Sequence, residues 1–180
     1  MNTILRLKTW PLFILTMAPM ILLKAIPFDD SYIDATVSQI GSAWVTLVRV
    51  IWFWAIVNFL TKTSHLPRQT EFSLFMLALF IQILTVAEPV LRLQLFYVAP
   101  HLLTNIPVEL FDTYGTIIYL VALLYSIYFV ANGLSYAESV SQPSNSDRVA
   151  NFLLLLFFPL CIIGLQERLN LWPKKFGANG

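Results

Sequence analysis

The chain has 180 residues, of which 58% are apolar and 12% charged, against about 45–50% and 25% in ordinary soluble domains. A soluble domain of this size buries only about two-thirds of its surface, too little to hide so much apolar area. The composition therefore indicates an integral membrane protein. A net charge of +1 excludes a polybasic nucleic-acid binder, and a single cysteine, Cys161, excludes an internal disulfide.

Five stretches approach the 20 or so apolar residues that carry a helix across a bilayer. They are 10–27, 43–61, 72–91, 114–133 and 150–165. The runs are long and do not alternate with period two, so they read as helices and not as barrel strands. The expected architecture is an all-α polytopic bundle in one domain: four transmembrane helices plus a fifth apolar segment broken by a proline.

The first stretch begins after Arg6 and Lys8, as a signal peptide would. Lys24 interrupts the usual cleavage zone and no small-x-small site follows, so a retained anchor is expected. The acidic connector after it holds Asp29, Asp30 and Asp34, read as solvated. The basic connector "KTSHLPRQTE" joins the second and third stretches. Residues 93–112, with Pro100 and Pro107, are too polar for a span and too apolar for a free loop. Two readings stay open there: a segment lying in the headgroups, or a third helix that continues past Pro89.

The fifth stretch sets a topological question. Pro159 sits inside it, and it ends abruptly in Gln166, Glu167 and Arg168. With the N-terminus cytoplasmic, a full fifth crossing leaves five Lys and Arg inside and five outside. A segment that enters and returns makes the count eight against two, which obeys the preference of Lys and Arg for the cytoplasmic side. Pro159 removes a backbone donor and bends a helix, and Gly164 offers a flexible exit. A short, kinked fifth span is the other reading.

No catalytic constellation is present. His65 and His101 lie in connectors on opposite sides, and no HExxH, CxxC, phosphate loop or GxSxG occurs. No metal and no cofactor is expected. The polar residues inside the spans are more informative, because lipid makes them costly. Ser42, Thr46 and Arg49 share one face of the second helix, and Ala78, Gln82 and Thr85 one face of the third, with Glu88 nearby. Arg49, Gln82, Thr85 and Glu88 form the candidate intramembrane cluster, built on an Arg49–Glu88 pair. Its rivals are a Glu88–Arg92 pair at i,i+4, and an Arg49 that snorkels to the headgroups. On the fourth helix Gly115, Ala122, Ser126 and Gly133 make a small-residue stripe suited to close helix packing. Trp10, Trp44 and Trp172 fall near span ends as an aromatic belt, whereas Trp52 and Trp54 lie deeper.

The segments "LYSIYFVANGLSYAE" (124–138) and "FFPLCIIGLQERLN" (157–170) resemble the C-terminal part of a family of small bacterial multi-pass membrane proteins of uncharacterised activity. Those sequences read YFVAK-T-L-x-x-x-E, a short polar loop, then FFP-I-G-I-W-x-I-Q-P-R-I-N. The residues that match are Tyr128, Phe129, Val130, Ala131, Glu138, Phe157, Phe158, Pro159, Gln166, Arg168 and Asn170. The chain departs from the pattern at Asn132, Cys161, Ile163 and Glu167, as a divergent member would. The resemblance implies a multi-pass protein of the bacterial inner membrane and supplies no activity.

Three functions follow as expectations. The first is a non-enzymatic membrane component that acts by helix packing with itself or with a membrane-protein partner. The second is a small transporter or channel subunit with a polar path near Arg49 and Glu88. The third, an enzyme acting on lipid or a quinone, has only scattered Glu109, Asp112 and His101 to work with. The lipid bilayer is the one certain surrounding, and nucleic acid is not an expected partner.

Overall fold

A computed structural model describes residues 9–25, 31–62, 69–98, 108–138, 144–158, 162 and 164–169. The described residues are helical or in turns, with no strand among them. The helices are α1 (Thr9–Ala25), α2 (Ser31–Lys62), α3 (Gln69–Val98), α4 (Val108–Glu138) and α5 (Asn145–Leu156). A short helical run, 164–169, follows.

Three stretches are long and apolar enough to cross a membrane: Val37–Thr61, Glu71–Glu88 and Tyr114–Glu138. Their parent helices run to 32, 30 and 31 residues, or roughly 45–48 Å at 1.5 Å per residue. They therefore outreach a hydrocarbon core of about 30 Å. Among the described residues the expected four spans plus a fifth segment are thus met in part, by three helices of spanning length. The apolar part of α1, Pro11–Leu23, is shorter than a span, and α5 has only 12 residues. The third helix does continue through position 89, and α4 begins at Val108, so both ends of the 93–112 connector are helical. Its middle, with Pro100, His101 and Pro107, lies outside the described residues, as do His65, Asp29 and Asp30. Asp34 falls within the first turn of α2.

Helix α2 stands at the centre. It packs against α1, α3 and α4, and 56% of its spanning window is buried, compared with 22% for α3. Trp52, Phe53, Ile56 and Leu60 are fully enclosed, and Phe75 of α3 stacks on Phe129 of α4 with centroids 4.7 Å apart. The large apolar residues left exposed, such as Leu77, Phe80, Leu84, Ile117 and Val121, point outward from α3 and α4. In water that would be an aggregating surface; in a bilayer it is the lipid face. Trp54 faces out while Trp52 is buried.

Helix α1 carries Pro19 in its interior. Proline has no N–H, so the carbonyl four residues earlier, Leu15 O, loses its helical donor. The indole Nε1 of Trp44 on α2 donates to that carbonyl at 2.8 Å. The proline break and the α1–α2 contact are thus one feature. Trp44→Phe is expected to lower stability by about 1–2 kcal/mol, the usual cost of a stranded polar group. Adding Pro19→Ala restores a backbone donor and should recover most of the loss in detergent unfolding titrations.

The chain after α4 reverses. Ser144 caps α5: its Oγ accepts from the Asp147 amide, and the Asp147 carboxylate accepts from the Ser144 amide, each at 3.2 Å. The helix closes at Leu156 with a tightened turn in which Phe158 N donates to Leu155 O. Pro159, which lies outside the described residues, explains the stop, because the residue before a proline avoids helical backbone. Arg168 Nη1 then donates to Asn151 Oδ1 at 3.3 Å. A continuous helix would hold those residues about 25 Å apart, so the chain folds back into a hairpin. Ile162, Leu165, Gln166 and Leu169 are buried at helical spacing, which gives the returning arm one inward face.

Candidate functional site

The intramembrane polar residues converge on Arg49. It occupies the midpoint of the Val37–Thr61 window, 12 residues from either end, or about 18 Å. Its side chain is 9% exposed and turns into the bundle, not toward the headgroups. One guanidinium nitrogen, Nη2, donates to Tyr119 Oη at 2.7 Å and to Gln82 Oε1 at 3.3 Å. Tyr119 Oη also shares a hydrogen bond of 3.2 Å with Thr46 Oγ1.

Arginine only donates, so the orientation of the rest is dictated. Gln82 must turn its oxygen to Arg49, which aims its Nε2 at Ser126 Oγ, 2.8 Å away. Ser126 in turn donates to the Ala122 carbonyl at 2.8 Å. The result is a polarised chain that starts at a cation on α2, passes through α3 and ends on the backbone of α4. Such chains strengthen cooperatively in a low-dielectric interior. Among the described residues no carboxylate pairs with Arg49, and its Nε is buried without an acceptor.

The four residues of the expected cluster therefore divide. Arg49 and Gln82 meet, whereas Thr85 Oγ1 donates to its own helix at Ile81 O. Glu88 lies six residues beyond Gln82, about 9 Å along α3, and is engaged in a contact of its own. The side chain of Arg92 is outside the described residues. Tyr119 is the member the sequence reading missed. The signal was present: the stripe on α4 leaves a gap of seven between Gly115 and Ala122, and position 119 fills that gap on the same face.

The stripe itself points inward over most of its length. Ala122 and Ser126 are buried beside Gln82, and Gly133 is buried against α2. A Cβ added at Gly133 would meet Leu60 Cδ1 at 2.8 Å, whereas one at Gly115 would meet nothing within 4 Å. Gly115→Ala should then raise stability by about 0.5–1 kcal/mol through the lost backbone entropy of glycine. Gly133→Leu should lower it by about 1–3 kcal/mol through overpacking. Thermal unfolding of the two variants checks the contrast.

A second polar cluster closes the hairpin. Asn151, 2% exposed, donates through Nδ2 to Ser135 Oγ at 3.0 Å and to Glu138 Oε2 at 3.3 Å, and accepts from Arg168. Arg168 Nε lies 3.7 Å from Glu138 Oε1. Glu138, Asp147, Ala150, Asn151 and Arg168 line a half-open cavity of about 340 Å³. Of the residues that carry the family resemblance, Glu138 and Arg168 belong to this cluster. Gln166, fully buried, accepts from Trp52 Nε1 at 3.1 Å and pins the returning arm to α2. Phe158 adds ring contacts to Trp52 and Phe53. Pro159 and Asn170 are outside the described residues.

Among the described residues no three His, Cys, Asp or Glu side chains gather as metal ligands. Comparison with protein-family models, with characterised proteins and with solved structures finds no match to this chain.

Proposed function

We propose that this chain is a non-enzymatic component of a bacterial inner membrane, acting through helix packing with itself or with a second membrane protein. One observation carries the reading: the costly polar groups at mid-membrane are spent on each other. Thr46, Arg49, Gln82, Tyr119 and Ser126 tie α2, α3 and α4 together, and the outward faces of α3 and α4 are left apolar. A network consumed in this way suits a rigid scaffold. In the full topology α1 serves as a fourth crossing from a cytoplasmic N-terminus. The hairpin of α5 and 164–169 enters and leaves on the cytoplasmic side, so that Arg168, Lys174 and Lys175 stay with Arg148.

Mass measurement of the detergent-solubilised protein, with and without cross-linker, tests the packing role. A dimer or a stoichiometric partner is the expected result; a strict monomer that co-purifies with nothing would count decisively against it. A transporter or channel subunit is the second reading, favoured by a mid-membrane cation that pairs with no carboxylate among the described residues and has an unused Nε donor. Anion flux into reconstituted vesicles that disappears in Arg49→Met would move the assignment there.

A further inference from the structure

The cavity at the mouth of the hairpin, about 340 Å³, falls within the roughly 300–1,000 Å³ of small-molecule sites. Its floor is fully bonded: the buried Asn151 spends its amide on Ser135, Glu138 and Arg168. Its rim is not. Arg168, with 49% of its side chain exposed, gives Nη1 to Asn151, while its Nη2 donates to nothing among the described residues. Asp147 is exposed; its Oδ2 accepts from the Ser144 amide and hydroxyl, and its Oδ1 makes no bond among the described residues. No cation pairs with Asp147 among those residues, whereas Glu138, 25% exposed, has Arg168 at 3.7 Å. An uncommitted donor edge and an uncommitted acceptor therefore line the same open cavity.

The lining dictates what fits. Two carboxylates against one guanidinium repel an anionic ligand, and a bare cation would leave the guanidinium edge unmatched. A zwitterion satisfies both. Its cation must be a primary ammonium, which donates three hydrogen bonds as a lysine does. A trimethylammonium donates none and is held by aromatic faces, which this lining lacks. Asp147 and Asn151 are i,i+4 neighbours on α5, with Cβ atoms about 5–6 Å apart, so the acidic and basic positions stand about one helical turn from each other. The two-carbon link of a phosphoethanolamine group bridges such a gap. Depth favours a lipid over a solute. The Tyr114–Glu138 stretch has 25 residues, about 36 Å of helix against a hydrocarbon core of about 30 Å, which sets Glu138 at headgroup level. Helix α5 runs back alongside α4 from there, with Asn151 bonded to Ser135. Leu154 continues the face of Asp147 and Ala150 at helical spacing, Phe157 follows it, and both are exposed. The charged cavity therefore gives onto an apolar strip at acyl-chain depth.

We propose that this cavity binds the headgroup of one phospholipid carrying a primary ammonium, phosphatidylethanolamine in chemical class. The phosphate takes Arg168 Nη2, the ammonium donates to Asp147 Oδ1 and to Glu138, and an acyl chain lies on Leu154 and Phe157. The inference rests on α4 crossing a bilayer and is independent of whether the protein associates with itself.

Two measurements test it. Native mass spectrometry of protein released from nanodiscs of equal phosphatidylethanolamine, phosphatidylcholine and phosphatidylglycerol should show one retained phosphatidylethanolamine per chain. Retained lipid that mirrors the mixture, an excess of phosphatidylglycerol, or no lipid at all would overturn the proposal. Delipidated protein should gain roughly 5 °C in unfolding midpoint with saturating phosphatidylethanolamine and much less with phosphatidylcholine. Asp147→Asn keeps an acceptor for the Ser144 amide, so the helix cap survives, and it should erase that difference. An equal response to the two lipids in the unsubstituted protein, or an undiminished preference in Asp147→Asn, also overturns it. Soluble glycerophosphoethanolamine at the same concentration should give no shift; a shift equal to the lipid's would assign the cavity to a solute and sink the lipid proposal. Should Asp147→Asn fail to fold, the mass measurement decides alone.

Discussion

Replacing Gln82 with leucine should cost about 3 kcal/mol, in the range for removing one partner of a buried charge. Replacing Arg49 with methionine should cost only about 1 kcal/mol, the scale of a single unmade neutral hydrogen bond. The asymmetry follows from who needs whom. Among the described residues Gln82→Leu leaves a cation at mid-membrane with Tyr119 as its one remaining acceptor, while its Nε is already unbonded. It also takes a donor from Ser126, which keeps its bond to the Ala122 carbonyl. Arg49→Met removes the charge itself. Gln82 then still donates to Ser126, and Tyr119 still shares its hydrogen bond with Thr46.

The double substitution, Arg49→Met with Gln82→Leu, should be more stable than Gln82→Leu alone, because the stranded charge is gone. A coupling of about 1–2 kcal/mol is expected, within the range for residues that share one network. Unfolding by a denaturing detergent, followed by tryptophan fluorescence, gives all four corners of the cycle. Strict additivity would mean that the Arg49–Gln82 bond carries no weight, and a larger loss for Arg49→Met than for Gln82→Leu would reverse the account.

How much of this was legible beforehand varies with the physics involved. Hydropathy alone located the three long helices, because lipid leaves a spanning segment little choice of backbone. Less was legible at α1 and in the fifth stretch, where Pro19 and Pro159 fall inside runs whose composition alone does not say how far each reaches. The convergence of Arg49 and Gln82 on facing helices was readable from helical spacing. Their actual partner, Tyr119, was obscured by attention to opposite charge: Glu88 was the obvious mate for an arginine, but a phenol and an amide were nearer in depth. Asn151 escaped notice for another reason. Its partners Ser135, Glu138 and Arg168 are up to 17 residues away in sequence, and only a chain reversal brings them together. Trp44 is a similar case, since nothing in its sequence neighbourhood signals that Leu15 O, 29 residues earlier, lacks a donor.

The hairpin yields the second large effect, and it is all or nothing. With Cys161→Ala as background, cysteines placed at 141 and at 178 should react with a membrane-impermeant reagent from the same side. A cysteine at Gln39, exposed near the start of the α2 span, should react only from the other. The reason is that the returning arm is held at three separate points. Arg168 reaches Asn151 and Glu138 at the mouth, Gln166 accepts from Trp52 in the interior, and Leu165 and Leu169 are buried in the core. Asn151→Leu removes the bonds to Ser135, Glu138 and Arg168. It should cost about 1–3 kcal/mol, the scale of a buried polar group left unpaired, because Glu138 and Arg168 are partly exposed and recover water. It should not move the tail, since the Trp52–Gln166 bond and the apolar face remain. Adding Trp52→Phe takes away the interior anchor as well, and only then should position 178 become reactive from both sides. If the cysteine at 178 reacts only from the side of Gln39 in the otherwise unsubstituted protein, the segment crosses the membrane, and the contact between Arg168 and Asn151 does not form there.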